Sequence, residues 1–166
     1  AEFMRALETA FNESITDKRS LPSTGKSQGV LACLGQSDKT YSGHYDEIVV
    51  KDCDNIRLIN ISTDRLLIKD SVVNIENLIF ANSNNRLDLD ESVVTITNAN
   101  ISGHNTMLIN GSRLDMAGVS IKATGDAVMI GNGSRISVSL SDINSPKYKG
   151  VVHGAFYLKN QPLIEQ

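Results

Sequence analysis

The sequence contains no tryptophan, and aromatic residues make up only 5% of the chain. This is few for a protein that reads bases by stacking, and it is unlike the aromatic-lined grooves of many sugar-binding proteins. A basic excess is absent as well, because the formal net charge is −3 at pH 7. Nucleic acid is therefore not expected as a partner. No apolar run approaches the roughly 20 residues of a membrane-spanning helix, so we predict no membrane span in this chain.

Cysteine is also scarce, with only Cys33 and Cys53 in the chain. Two are too few for a disulfide-scaffold protein. We predict one disulfide between them, because they flank a loop that has no other anchor. Closing a loop of about 20 residues would stabilise the fold by roughly 3 kcal/mol. The alternative is a pair of buried thiols, with Cys53 at a small-residue position of the repeat.

The chain does contain a ladder of apolar residues that repeats about every 20 positions from Ile48 to Ile143. Its clearest copies are four segments that begin with serine: Ser71-Val-Val-Asn-Ile, Ser92-Val-Val-Thr-Ile, Ser112-Arg-Leu-Asp-Met and Ser134-Arg-Ile-Ser-Val. A fixed period of this size indicates a solenoid, in which each coil buries its apolar side against the next. We place the coil starts at Ile48, Leu66, Leu87, Met107 and Val128, with a partial coil from Val151.

Apolar and polar residues alternate within each coil, as in Leu87-Asp-Leu89. This predicts three short strands per coil, each with one buried face. The inward positions line up in columns. The first column is predicted to hold Ile48, Leu66, Leu87, Met107 and Val128. The second is predicted to hold Val50, Ile68, Leu89, Ile109 and Ile130.

Two columns mark the corners between strands. Asn60, Asn77 and Asn98 recur at one position, and Gly118 takes that position in the next coil. Asn and Gly tolerate a left-handed backbone, and stacked Asn side chains can hydrogen-bond from coil to coil. The serines that begin the four copies mark another corner, where a hydroxyl satisfies backbone groups of the turn.

Coils of about 20 residues, three strands per coil and an Asn ladder at a corner resemble the right-handed parallel β-helix of pectin-lyase-like proteins. The resemblance covers residues 48–158 and implies an all-β, single-stranded parallel β-helix of about five coils. A left-handed hexapeptide β-helix needs an aliphatic residue at every sixth position and shorter coils. Coil spacings of 20 and 21 residues do not fit it. A β-sandwich would not explain four copies of one motif.

The N-terminal 20 residues form a separate part of the predicted organisation. We interpret Ala1-Glu2-Phe3 before Met4 as a cloning remnant, which leaves open a native leader or anchor upstream. Residues 5–18 are predicted to form an amphipathic helix that caps the solenoid. Its apolar face holds Leu7, Ala10, Phe11 and Ile15. These residues, followed by Leu21-Pro22, are similar to the lower half of the long helix in type IV pilins, which implies a truncated minor pilin as an alternative.

The remaining boundaries follow from composition and periodicity. Residues 21–47 are predicted to be a lead-in of loop, one strand and loop. The β-helix is predicted to span residues 48–160, with Val151 to Leu158 as a final edge strand, and residues 161–166 to form a tail.

Acidic residues are the first candidates for chemistry. Asp70 and Glu91 each precede a serine of the repeat, so we expect them to stack at one corner. Two carboxylates so placed are suited to Ca²⁺ binding or to acid–base catalysis. They are also ordinary turn residues, and that interpretation is favoured. The sequence therefore assigns no catalytic residue, no metal ligand and no cofactor. His44, His104 and His153 lie in different coils and are predicted to be turn or surface residues.

The sequence is most consistent with a non-catalytic module that is extracellular, periplasmic or on the cell surface. Its expected role is adhesion, appendage assembly or binding of a polysaccharide or protein partner whose identity the residues do not give. The alternatives are a polysaccharide lyase or hydrolase of the pectin-lyase-like class, and the truncated minor pilin.

Overall fold

The computed structural model describes residues 27–81, 87–125 and 128–159. They form an all-β parallel solenoid of about five turns, which confirms the predicted architecture at that level. The predicted helix at residues 5–18 and the tail at residues 161–166 lie outside the described residues. The strands are β1 (Val30–Leu34), β2 (Ser37–Tyr45), β3 (Glu47–Lys51), β4 (Asp54–Thr63), β5 (Leu66–Lys69), β6 (Val72–Ala81), β7 (Leu87–Asp90), β8 (Val93–Gly103), β9 (Met107–Asn110), β10 (Arg113–Ala123), β11 (Met129–Ser145) and β12 (Tyr148–Lys159).

Short and long strands alternate along the chain, and each pairs with its own kind one coil away. One parallel series consists of the short strands β1, β3, β5, β7 and β9 in that order, and β9 pairs with the first residues of β11. The other consists of the long strands β2, β4, β6, β8 and β10, and β10 pairs with the later residues of β11. One coil therefore consists of a short strand followed by a long one.

Each long strand turns a corner in its middle. Asn60, Asn77, Asn98 and Gly118 have positive φ angles of 56°, 60°, 59° and 65° at equivalent positions. The Nδ2 of Asn77 donates a hydrogen bond of 2.8 Å to the Oδ1 of Asn60 one coil away. The predicted asparagine corner is confirmed. In the last coil this position holds Leu140, with φ 48° and a side chain that is 74% exposed.

The serine column forms a buried ladder at a second corner. The backbone N–H groups of Ser71, Ser92 and Ser112 donate to the hydroxyl of the serine in the following coil, at 3.0–3.1 Å. Each of these three hydroxyls also donates to the carbonyl two residues earlier, at 2.7–2.8 Å. The ladder gives every buried polar group of this turn a partner, as burial requires.

The two inward columns on the short strands hold as predicted through the first four of the predicted coils but shift by one residue in the last. Met129 pairs with Met107, and Gly131 pairs with Ile109. The predicted inward positions of Val128 and Ile130 are therefore wrong. Val128 is buried in the turn, where its carbonyl accepts the hydroxyl of Thr106 at 3.0 Å, and Ile130 faces outward. A Cβ on Gly131 would overlap the carbonyl oxygen of Ile109, so only glycine fits there.

The N-terminal segment holds more of the solenoid than expected. Residues 30–45 contain two strands rather than one: β1 pairs with β3, and β2 pairs with β4. The second strand was missed because its inward positions are not apolar throughout. Lys39, Tyr41 and Gly43 stand opposite Ile56, Leu58 and Ile61.

The two cysteines meet between the first two coils. The Sγ atoms of Cys33 and Cys53 are 2.9 Å apart, whereas a disulfide bond is about 2.05 Å long. Both are buried free thiols, so the predicted disulfide is not present. Cys53 takes the place of serine in the buried ladder: its Sγ accepts the N–H of Gln36 and donates to the carbonyl of Lys51, both at 3.3 Å. The alternative interpretation of Cys53 is the correct one.

The C-terminal end is closed by a strand of opposite direction. β12 runs antiparallel to β11, so the predicted edge strand is confirmed but the partial parallel coil from Val151 is wrong. Gly150 lies beside the ring of Tyr148, and Gly154 lies beside the ring of Phe156, at 3.4–3.9 Å from a Cβ built on each glycine. The two half-buried rings cover the end of the core over these glycines.

Candidate binding cleft on the outer surface

The outward side chains of the solenoid form flat surfaces, because parallel pairing places equivalent residues of successive coils side by side. We name two of these surfaces. Face A is the outer side of the short strands β1, β3, β5, β7, β9 and the start of β11. Face B is the outer side of the long strands before their corner. Coils stack about 4.8 Å apart, so each face repeats at that interval.

Face B carries a shallow cleft of about 210 Å³ on β8, β10 and β11. Its polar walls come from two outward columns. Thr95, Asp115 and Ser137 stand side by side in one column, and Thr97, Ala117 and Ser139 in the other. Ala117 has the smallest side chain of the six, so the surface dips between Thr97 and Ser139.

The polar side chains of the cleft carry hydroxyl groups and one carboxylate, while most of its exposed surface is apolar. Each hydroxyl of Thr95, Thr97, Ser137 and Ser139 can donate one hydrogen bond and accept others. Asp115 accepts, and its Oδ2 lies 3.5 Å from the Nε of Arg113. Both side chains of that ion pair are substantially exposed, so it holds the carboxylate only weakly. The lining can hydrogen-bond a polar ligand through donors and acceptors alike.

Further along face B the columns become charged. Arg57 and Glu76 form an ion pair of 3.6 Å across adjacent coils, and Asn74 stands between Arg57 and Thr95 in its column. A ligand that extended from the cleft along the solenoid axis would therefore meet an amide and an ion pair. The face offers polar contacts over several coils rather than one deep pocket.

Sequence reasoning missed these residues. They occupy the outward positions of three aligned copies: Val94-Thr-Ile-Thr97, Leu114-Asp-Met-Ala117 and Ile136-Ser-Val-Ser139. The available signal was the recurrence of hydroxyl-bearing side chains at the non-core positions of nearby coils, with a small residue between them.

The two acidic candidates do come to one corner. Asp52, Asp70 and Glu91 occupy equivalent turn positions in consecutive coils, with φ angles of 55°, 49° and 47°. The N–H of Asp70 donates to the carbonyl of Asp90, and the N–H of Glu91 donates to that of Asn110. Asp70 and Glu91 are exposed, and the carboxylate of Glu91 lies against the backbone of Gly111. These positions need a left-handed backbone, which Asp tolerates better than most residues.

No protein-family model, curated protein or solved structure shows significant similarity to this chain.

The three histidines stay apart. The Nδ1 of His44 lies 3.1 Å from the hydroxyl of Ser62, and the Nδ1 of His104 lies 3.3 Å from the hydroxyl of Thr124. His153 lies on β12. Within residues 27–81, 87–125 and 128–159, no three His, Cys, Asp or Glu side chains are grouped so that they could hold a metal ion. The same residues include no helix long and apolar enough to cross a membrane.

Proposed function

We propose that this chain is a non-catalytic β-solenoid module that binds an extended polysaccharide along face B. The observation that carries the proposal is the cleft lined by Thr95, Thr97, Ser137 and Ser139 around Ala117. Sugar hydroxyl groups both donate and accept hydrogen bonds, and this lining does the same. The repeat of about 4.8 Å along the face gives successive units of a polymer equivalent contacts.

The expected affinity is modest. The cleft is open, and no aromatic side chain lines it. Binding would therefore depend on several weak hydrogen bonds repeated over adjacent coils. This fits a module for adhesion or appendage assembly in an extracellular, periplasmic or cell-surface location, where many copies act together and avidity replaces single-site affinity.

Affinity electrophoresis through gels that contain neutral or acidic polysaccharides tests the proposal. We expect at least one polysaccharide to retard the wild-type protein. Ala117→Leu, which fills the dip, should remove the retardation. Ser120→Leu is the matched control, because Ser120 is half-buried on the long strand beyond the corner and away from the cleft. Polysaccharide binding at this cleft would be rejected if none of the polysaccharides retards the wild-type protein, or if Ala117→Leu is retarded as much as the wild type.

The second candidate is a polysaccharide lyase or hydrolase that uses Asp70 and Glu91. The observation in its favour is that these two residues occupy equivalent turn positions on adjacent coils, whose backbones stack about 4.8 Å apart. A retaining glycosidase needs two carboxyl groups about 5 Å apart, and side chains at such positions can be brought to that separation. Calcium held between the same carboxylates would serve a lyase instead.

Incubation with polysaccharides, followed by detection of new reducing ends or unsaturated products, tests the enzyme candidate. Turnover that disappears in Asp70→Ala/Glu91→Ala would establish it. The absence of turnover, with no rise in Tm on adding calcium, would remove it.

Two finer assignments rest on the sequence pattern. We propose a right-handed stack like that of pectin-lyase-like proteins, since parallel crossover connections are right-handed in nearly all known cases. The minor-pilin alternative depends on a hydrophobic segment upstream of Met4, which the native gene would reveal.

A further inference from the structure

Face A carries an apolar column on the outside of the solenoid. Val49, Leu67, Leu108 and Ile130 are outward, half-buried residues of successive short strands, interrupted only by Asp88. Direct parallel pairing aligns them in one row. At the equivalent positions of face B the two columns hold mostly hydroxyl, amide and charged side chains.

The first strand widens this apolar surface. Val30, Ala32 and Leu34 all point outward on β1, and Val30 and Leu34 are 62% and 56% exposed. Ala32 continues the column through its pairing with Val49. An aliphatic column on the outer face of a sheet, interrupted by a single polar residue, is typical of a surface that another element covers.

The chain itself supplies an element of the right kind. Twenty-six residues precede Ser27, and residues 5–18 have the periodicity of an amphipathic helix with Leu7, Phe11 and Ile15 on one face. A helix of this length extends about 21 Å. The column from Ala32 to Ile130 crosses six strands and is about 24 Å long. The two apolar surfaces match in length.

The connection between them is long enough. Residues 19–26 join the predicted helix to the start of β1, which is the first strand of face A. Eight extended residues reach up to about 27 Å, so the helix can lie anywhere along the column.

We propose that residues 5–18 of the same chain dock lengthwise as an amphipathic helix on the apolar column of face A. The segment then covers a side of the solenoid rather than capping its N-terminal end. The inference is independent of the proposed polysaccharide binding, because faces A and B are different surfaces.

Hydrogen exchange of the full chain, followed by mass spectrometry, tests the docking. We expect the backbone amides of residues 5–18 to exchange at least tenfold more slowly than in an unstructured peptide. Leu108→Glu, on the column, should abolish this protection, whereas Ser120→Glu, on the surface beyond the corner, should keep it. Exchange of residues 5–18 at the peptide rate in the wild-type protein would overturn the proposal.

Leu67→Glu provides a second variant on the column, and it should abolish the protection as Leu108→Glu does. Protection that survives Leu108→Glu but is lost in Tyr41→Glu would place the segment at the β1–β2 end instead. Protection that falls on dilution of the protein would assign face A to a second copy of the chain.

Discussion

The backbone N–H of Ser71 donates a hydrogen bond of 3.1 Å to the hydroxyl of Ser92, which lies one coil further along the solenoid. The same hydroxyl donates to the carbonyl of Asp90 at 2.8 Å. One side chain thus hydrogen-bonds two backbone groups that belong to different coils. It links the stacking of the coils to the geometry of the turn.

Ser92→Ala should lower the free energy of unfolding by about 1–3 kcal/mol, because it leaves the buried N–H of Ser71 and the carbonyl of Asp90 without this partner. Urea unfolding followed by circular dichroism measures the change. Ser120→Ala, which is half-buried and outside the ladder, should stay within about 0.5 kcal/mol of the wild type. Equal effects of the two variants would show that the ladder contributes no special stability.

Cys53→Ser should be tolerated better than Cys53→Ala. The hydroxyl can accept the N–H of Gln36 and donate to the carbonyl of Lys51, as the thiol does, whereas alanine can do neither. We expect a difference of about 1 kcal/mol in favour of serine in the free energy of unfolding. If alanine is the more stable variant, Cys53 is retained for packing and not for its place in the ladder.

The stability of the protein should fall as the pH rises from 9 to 11. Burial, reinforced by the neighbouring Cys53 thiol, raises the pKa of Cys33 from 9.0 to about 11. The folded state therefore keeps its proton where the unfolded chain loses it. This contribution to stability is fully present below pH 9 and disappears through pH 11. The Tm of Cys33→Ala should decline less over this interval than that of the wild type. Some decline should remain in both proteins, because burial also raises the pKa values of Tyr41 and Tyr45. Parallel declines would contradict the prediction.

Gly131→Ala should prevent normal folding of the last coil, because its Cβ would overlap the carbonyl oxygen of Ile109. Gly133→Ala is a close control. Its φ is also positive, at 70°, but its Cβ would have no neighbour closer than 4.0 Å. The control should lose about 1 kcal/mol from left-handed strain alone. If Gly131→Ala is soluble, unfolds cooperatively and loses no more stability than Gly133→Ala, the register of the last coil is different.

Leu140→Asn should stabilise the protein by about 1 kcal/mol. Leucine at this corner has a left-handed backbone, which is unfavourable for it, and its side chain is 74% exposed, so little burial is lost. Asparagine occupies the same corner at Asn60, Asn77 and Asn98. Thermal unfolding checks the direction. A lower Tm would mean that the exposed leucine makes a contact worth more than the strain.

The interior of the solenoid could be predicted from the sequence because inward and outward residues differ sharply in polarity. Leu87, Leu89, Val94 and Ile96 alternate with polar neighbours, and the structure buries all four. Prediction failed where this contrast disappears. Residues 127–130 are apolar without alternation, so the pattern could not choose between Val128 and Met129. The steric need for glycine at position 131, which settles the register, is visible only in three dimensions.

The outer surfaces were less predictable than the interior for a physical reason. A residue that faces solvent can be polar or mildly apolar without changing the fold, so Thr97 and Ser139 carry no local mark of the cleft they form. Their proximity comes from coil stacking, which brings together residues 42 positions apart. The corner of Asp70 and Glu91 was predictable because it follows directly from the repeat. The repeat does not indicate whether those carboxylates take part in chemistry.

The ladders in the middle of the solenoid have a consequence for how such a chain can change in length. Ser71, Ser92 and Ser112 each give and receive the same bonds, so the junctions between these coils are chemically interchangeable. Duplicating or deleting one whole coil of about 20 residues would restore every ladder across the new junction. A single inserted residue would turn the following strand inside out. The chain is thus open to variation by whole coils and closed to smaller steps, which makes the number of coils, and with it the length of faces A and B, an adjustable property.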